Sequence, residues 1–280
     1  MPLTQQNFDY ELLDTGHQGR LERFGPYTLD RACPQALWPG EEGLEIEGDA
    51  FFEKPEGWTF NTDISEQWPI AIGDITAELR LSQNGQVGIF PEQFENWQWI
   101  EAQVTKTEKP LRILNGFGYT GMSTLFASTP NTEVCHVDGA KSALNWAKHN
   151  AALSGKSDQP IRWICDDVVK FMEREVRRGN QYDGIILDPP AFGRGGKQTW
   201  KIETGLPKLI QLVAQLLSEK PAFVILTCHA PDHFSKENLA ELLNSLQAFK
   251  GHKAEAITLE IPAKSGHNLP SSFGARISTS

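Results

Sequence analysis

A carboxylate and a pair of rigid backbone carbonyls at the end of an apolar run can grip a planar amine or a ring nitrogen. Asp188-Pro189-Pro190, within Tyr182–Phe192 of this 280-residue chain, is a group of that kind. Ile185, Ile186 and Leu187 before it form the short apolar run of a buried parallel strand. The two prolines cannot donate to a ladder and stop the strand. A residue before proline is pushed out of the helical region, so Asp188 is held extended. In an open α/β sheet this carboxyl edge is where ligands bind. Taken alone, the step also reads as a turn with a solvated aspartate. The groups at the other strand ends decide between the two.

The second group is Asn115-Gly116-Phe117-Gly118-Tyr119-Thr120-Gly121, a G-x-G-x-x-G between the strand-like Leu111–Asn115 and a helical period. Glycines there let the backbone turn sharply and approach a ligand whose polar end meets amides at the helix start. Asp138 closes the next apolar run, 17 positions beyond Gly121, where a carboxylate can hold ribose hydroxyls. Asp166 and Asp167 close a third run, and one of them can accept from an adenine amine. Asp167 is preferred, because Asp-Val-x-x-Phe leads straight into a helix. Each acid by itself also fits a helix cap. A nicotinamide fold explains the first two strand ends equally well, but not the Asp-Pro-Pro step at the fourth.

The elements that must position these groups follow from periodicity. From Leu111 onward, apolar strands alternate with helical periods, which predicts a parallel α/β sheet. Strands are expected near 111–115, 132–137, 161–165, 182–187 and 221–227, and helices near 121–128, 140–153, 167–178, 202–219 and 235–249. Ala254–Ile261 and Ser272–Thr279 read as strands with no helix between them, so the sheet should close on a hairpin with one antiparallel edge strand. Residues 1–105 look β-rich, with Tyr10–Leu13 and Arg20–Phe24 flanking a turn. Ile75–Leu81 and Val87–Phe90 are expected to pair across Asn84-Gly85, a strong hairpin dipeptide. Trp38, Trp58, Trp68, Trp97 and Trp99 crowd this part, as core or as a stacking platform for bases. Pro91 opens a helix through Val104. The polar stretch Lys106–Pro110 is the expected boundary between a domain of residues 1–105 and one of 106–280.

Composition bounds the function classes. With 39% hydrophobic and 22% charged residues, the chain has the make-up of a soluble globular protein. No run of about 18 apolar residues suggests a membrane span, and the start lacks a signal-peptide pattern. The four cysteines (33, 135, 165, 228) form no C-x-x-C pair, so reduced thiols in a cytosol are expected, and no metal. A formal charge of −10 argues against broad, non-specific nucleic-acid binding but leaves room for a local basic surface. Arg194, Lys197 and Lys201, interspersed with Gly193, Gly195 and Gly196, make such a surface: a glycine-rich loop beyond Phe192 that can touch a phosphate. An ordinary solvated loop has the same composition. Arg174, Arg177 and Arg178 fall in a helix's last turn and read as structural.

Residues 111 to about 279 resemble class I S-adenosylmethionine-dependent methyltransferases, and within them the bacterial large-subunit ribosomal RNA methyltransferases of the cytosine-carbon-5 type. Leu114-Asn115 with Tyr119-Thr120-Gly121, Asp138, Asn150, Asp166-Asp167-Val168 and Asp188 through Phe192 carry the likeness. It implies a Rossmann-like sheet preceded by a small domain and a cytoplasmic enzyme. It also implies S-adenosylmethionine held by residues 115–121, Asp138, Asp166 or Asp167, and Asp188. The substrate implied is ribosomal RNA, contacted by Pro189, Pro190, Phe192, Arg194 and Lys197. Cytosine carbon 5 becomes nucleophilic only after addition at carbon 6, so such enzymes use a cysteine thiolate. Cys228, ending the run Ala222–Cys228, matches that cysteine, and burial as a small hydrophobe is its other reading. Transfer to nitrogen, on a base, a protein side chain or a small molecule, needs only Asp188 and the adjacent carbonyls. A binding protein that has lost activity is a third class, against which the intact motif residues count.

Overall fold

The computed structural model describes residues 7–40, 47–195, 198–229 and 233–279, with 194, 195, 198 and 199 described as backbone. The chain divides into two compact units, residues 1–94 with 260–271 and residues 95–259 with 272–280.

In the first unit, strands β1 (Tyr10–Gly16), β2 (Gly19–Phe24), β3 (Tyr27–Ala32), β4 (Ala50–Glu53) and β5 (Gly57–Phe60) form one sheet in that order. β1 and β2 are antiparallel around His17 and Gln18, whose φ of 50° and 63° are those of a hairpin turn with two left-handed residues. β6 (Gln67–Ile72) and β7 (Ile75–Arg80) form a second hairpin. The partner of Ile75–Leu81 is therefore the preceding strand, not Val87–Phe90. Asn84-Gly85 does turn the chain, with Ser82 N–H donating to Gln86 O and Arg80 N–H to Val87 O. Gly88, at φ 106°, then leaves the extended conformation that a longer ladder needs. Trp38, Trp58 and Trp68 donate their indole N–H to Thr15 O, Ser82 O and Phe24 O; Trp68 is buried in the core of this unit, whereas Trp38 and Trp58 are half-buried.

A charged cluster lies buried in the same unit. Glu22 has no exposed surface, and Arg31 is 4% exposed. Arg31 Nε donates to Glu22 Oε2 at 2.8 Å, Tyr10 Oη donates to Oε1 at 2.9 Å, and Arg20 Nε lies 3.2 Å from Oε2. Arg31 also donates to Gly85 O at 3.0 Å, which fastens the Asn84-Gly85 turn to the sheet.

In the second unit, α1 (Phe94–Lys106) precedes β8 (Leu111–Gly116), α2 (Met122–Ala127), β9 (Thr132–Asp138), α3 (Lys141–Leu153), β10 (Ile161–Cys165), α4 (Val168–Arg177) and β11 (Gly184–Leu187). The short hairpin β12 (Phe192–Gly195) and β13 (Gln198–Lys201) follows, then α5 (Ile202–Leu216), β14 (Phe223–Cys228), α6 (Lys236–Asn244), β15 (Glu255–Pro262) and β16 (Asn268–Ser278). The sheet order is β10-β9-β8-β11-β14-β16-β15, with the first five parallel and β16 antiparallel to β14. The expected strands and helices and the antiparallel closing hairpin are all present. Of the glycine-rich basic segment, Phe192–Gly195 and Gln198–Lys201 pair as strands β12 and β13 rather than forming a loop, and Gly196 and Lys197 lie outside the described residues. The division between the units lies one helix before the boundary expected at Lys106, because α1 packs Ile100 and Val104 on this sheet. Trp97 and Trp99 go with it.

Alternation along the strands loads both faces of the sheet. Ile113, Val134, Ile186 and Ile225 pack with Ile100 and Val104, while Leu114, Cys135, Ile185, Leu187 and Val224 pack with residues of α4, α5 and α6. Burial on both faces is why these strands read as apolar runs and not as alternating ones.

Removing the Glu22 carboxylate would strand Arg31 as a buried charge without its counterion. Glu22→Ala is expected to lose about 3–5 kcal/mol in urea unfolding. Burial alone would raise the Glu22 pKa, but Arg20 and Arg31 outweigh it and hold it below the ordinary value. Its contribution is therefore complete above the unfolded-state pKa and is lost as pH falls through the folded one. Wild type should lose stability in that acid range and the variant should lose less. Equal acid sensitivity would contradict this.

Candidate active site

The chain leaves β8 outward through β9 and β10, then returns to lay β11 on the other side of β8. Strand order reverses there, which opens a crevice at the carboxyl ends. Register sets what faces it: Gly116 pairs with Val137 and Leu187, Asp138 with Cys165, and Leu187 with Leu226. The glycine loop, Asp138, Asp166 and Asp188 are thus brought to one sheet edge.

The glycine loop is bent tightly. Phe117, Tyr119 and Gly121 have φ of 61°, 48° and 93°, and two left-handed non-glycine residues in one turn mark stored strain. At Gly121 a Cβ would also lie 2.9 Å from the Ala147 Cβ. Asp138 holds the bend: Oδ2 accepts Tyr119 N–H at 2.9 Å and Oδ1 accepts Ala140 N–H at 2.7 Å. Asn150, fully buried on α3, donates to Thr120 O at 3.0 Å. A carboxylate offers about four lone-pair sites. Asp138, fixed by two amides at the crevice, thus keeps capacity for the hydroxyls of a ribose, and the residues fit an adenosyl cofactor on that count.

Beneath the loop lies a feature that motif reading missed. Asn115 Nδ2 donates to Thr124 Oγ1 at 2.8 Å, and Thr124 Oγ1 lies 2.8 Å from His136 Nδ1. The Thr124 oxygen accepts the amide hydrogen and shares a second hydrogen bond with Nδ1, whose direction is set by the imidazole tautomer. His136 has no exposed surface, and burial pushes its pKa down to about 3. A Cβ on Gly118 would sit 2.4 Å from the His136 ring, so a side chain cannot be added without displacing the imidazole. The available signal was a histidine inside the apolar run of β9, two residues before the acid.

Asp166 and Asp167 have separate duties. Asp167 is the N-cap of α4, its Oδ1 accepting Lys170 N–H at 2.9 Å. Asp166 accepts Asp167 N–H at 2.8 Å and pairs with Arg174. Arg174 and Arg178 are engaged in ion pairs within the fold, as expected of structural arginines.

On the acceptor side, Thr227 Oγ1 donates to Asp188 Oδ1 at 2.6 Å, and His229 Nε2 lies 3.7 Å from the same oxygen. Cys228 stands between them in sequence, and strand alternation turns it away. It is 1% exposed and packs in the core with Leu187 and Leu226. The carbonyl of Pro190 accepts the Trp200 indole N–H at 2.7 Å, so one of the step's carbonyls is already engaged within the fold. Phe192 is 54% exposed at the base of β12. Arg194 lies in β12, and Lys197 falls outside the described residues.

The His136 environment has a measurable consequence. A histidine depressed to about 3 when folded takes up its proton on unfolding, so stability is full above pH 6.5 and declines as pH falls from 6.5 toward 3. By pH 5 this one group should cost about 2 kcal/mol. In His136→Gln the fall in urea-unfolding free energy between pH 7.5 and 5.0 should be smaller by about that amount. An unchanged difference would mean that His136 is charged in the fold.

Comparison with known proteins agrees with this geometry. A family model described as S-adenosylmethionine-dependent methyltransferase matches residues 54–242. A crystal structure of a SAM-dependent methyltransferase from Agrobacterium tumefaciens superposes with a TM-score of 0.90 at 35% identity, over 97% of this chain and 91% of that one. Ribosomal RNA large subunit methyltransferase I of Aeromonas salmonicida is 33% identical over 200 residues, which is 69% of this chain and 49% of the relative. The Aeromonas hydrophila protein of the same name is 32% identical over 201 residues, again 69% and 49%. The chain spans about half the length of these curated relatives. With the glycine loop, the strand-end acids and the Asp-Pro-Pro step gathered at one switch point, the chain belongs to the S-adenosylmethionine-dependent methyltransferases.

Proposed function

We propose that this protein methylates a base of ribosomal RNA. The observation that carries the reading is the pairing of two sites at the β8/β11 switch: an adenosyl-type cradle on one side and an Asp-Pro-Pro acceptor group on the other. The names and identities of the curated relatives support RNA as the substrate. Bound S-adenosylmethionine supplies an electrophilic methyl group. In this reading Asn115–Gly121 and Asp138 hold the cofactor's polar ends, and Asp166 or Asp167 reads its adenine. Asp188, oriented by Thr227, accepts from the amine of the target base, and the exposed ring of Phe192 offers a stacking face. Arg194 and Lys197 serve as phosphate contacts. The first unit assists in recognising the substrate.

The methylated atom turns on Cys228. Transfer to cytosine carbon 5 requires the thiol to reach carbon 6, whereas its side chain is packed against the core. Nitrogen transfer needs only the Asp188 face. The carbon-5 mechanism therefore demands that the target base, on entering, displace the packing over Cys228.

Asp138→Ala should weaken S-adenosylmethionine binding by ~1.5–3 kcal/mol, about 10- to 150-fold, in calorimetry. Unchanged affinity would remove Asp138 from the cofactor site. RNA mass spectrometry comparing a deletion strain with its parent should reveal one missing methyl group on ribosomal RNA, and intact methylation throughout would refute the substrate reading. On that RNA, Cys228→Ala should bind cofactor normally and lose turnover, and 5-fluorocytosine-containing RNA should trap an adduct with wild type. Near-normal turnover of Cys228→Ala would place the methyl group on nitrogen.

A further inference from the structure

We propose that Trp200 is a positioning residue that ties the cofactor loop to the acceptor loop, so that occupancy of the glycine loop is coupled to the position of the β12 and β13 strands beside Asp188. The inference rests on the methyltransferase reading and goes beyond it. Three separate contacts carry it. The indole N–H donates to Pro190 O at 2.7 Å, inside the Asp-Pro-Pro step. The indole ring lies 5.7 Å, centroid to centroid, from Phe117, which sits in the glycine loop at φ 61°. Its six-membered ring rests on Gly205, where a Cβ would lie 2.3 Å from Cζ3.

The third contact explains an otherwise costly choice. Gly205 lies within α5, where glycine is a poor helix former and alanine the best. The glycine makes room for an indole that alanine would expel. One side chain thus joins the two loops and is seated on a rigid helix, and the Ile202 N–H to Ala191 O bond anchors the hairpin's far end beside it. A hydrogen bond to one loop and a ring contact to the other transmit the position of Phe117 to Pro190 directly. A cofactor seated on residues 115–121 therefore also steadies residues 188–195 and 198–201, and by linkage a base held at Asp188 strengthens cofactor binding by the same factor.

Hydrogen exchange with S-adenosylhomocysteine as the probe tests this without a substrate. In wild type the probe should slow exchange in residues 115–121 and in 192–195 and 198–201. In Trp200→Ala only 115–121 should slow, with probe affinity within about threefold of wild type. Gly205→Ala improves the helix while displacing the indole, and it should reproduce that pattern without loss of folding. Trp200→Phe keeps a ring and lacks the N–H, and should lose at least half of the hairpin's slowing. The proposal is overturned if the hairpin in wild type ignores the probe, or if both Trp200→Ala and Gly205→Ala keep the full effect. It is also overturned if probe affinity falls as steeply in Trp200→Ala as in Asp138→Ala, because Trp200 is then part of the cofactor site. A wild type that binds no probe at all would defeat the methyltransferase reading itself, and this inference with it.

Discussion

The site depends on how closely the backbone after β8 approaches the buried imidazole of His136. Gly118 passes over that ring with no space for a Cβ, and the loop bends with Phe117, Tyr119 and Gly121 in the left-handed region. Such a bend persists only where its surroundings over-determine it. The surroundings here are polar and specific: Asp138 accepts Tyr119 N–H, Asn150 donates to Thr120 O, and Val137 O receives Gly118 N–H. A neutral His136 completes the set, because a charged imidazole could not be buried without a counterion.

The same loop has consequences at the opposite wall of the crevice. Phe117, held outward by its positive φ, meets Trp200, and Trp200 meets Pro190. The Asp-Pro-Pro step is thus not an isolated acceptor. One of its carbonyls is engaged by the indole, and its carboxylate is engaged by Thr227. These bonds restrict which lone pairs face a ligand and at what angle, and catalysis depends on that kind of pre-organisation. The alternation that aims Thr227 and Asp188 at one face sends Cys228 into the core on the other, so a base bound by the carboxylate does not by that fact meet the thiol.

The first unit solves a different problem. A sheet of short strands covers little apolar area, and its interior includes Glu22 and Arg31 with Arg20 and Tyr10. Glu22 is hydrogen-bonded by Arg31 and Tyr10 and lies in ion-pair contact with Arg20, and such pairing is the condition on which buried charge is tolerated. The network ties neighbouring strands and the Asn84-Gly85 turn into one unit, where apolar packing alone would leave register loosely specified.

Local pattern sufficed for the parallel sheet and its helices, because strands buried on both faces write uninterrupted apolar runs and helices write a 3.6-residue period. The glycine loop, Asp138, the two acids after β10 and Asp188 were legible for the same reason: each is tied to a strand end, and strand ends follow from the runs. Pairing partners were not legible. Asn84-Gly85 names a turn in any sequence, and only the tertiary structure decided that β7 pairs backward with β6. The positions of α1 and of the linked ends of β15 and β16 among the units likewise depend on contacts distant in sequence. Most of what distinguishes this site was decided at that level. A histidine in an apolar run carries no sign that a glycine 18 positions earlier lies on it, and a tryptophan at the end of a basic hairpin carries no sign that it reaches both loops. Sequence determined which chemical groups arrive at the sheet edge, since that is a matter of spacing along strands. Packing between strands determined which of them face one another, since only the folded register brings Thr227 to Asp188 and turns Cys228 away.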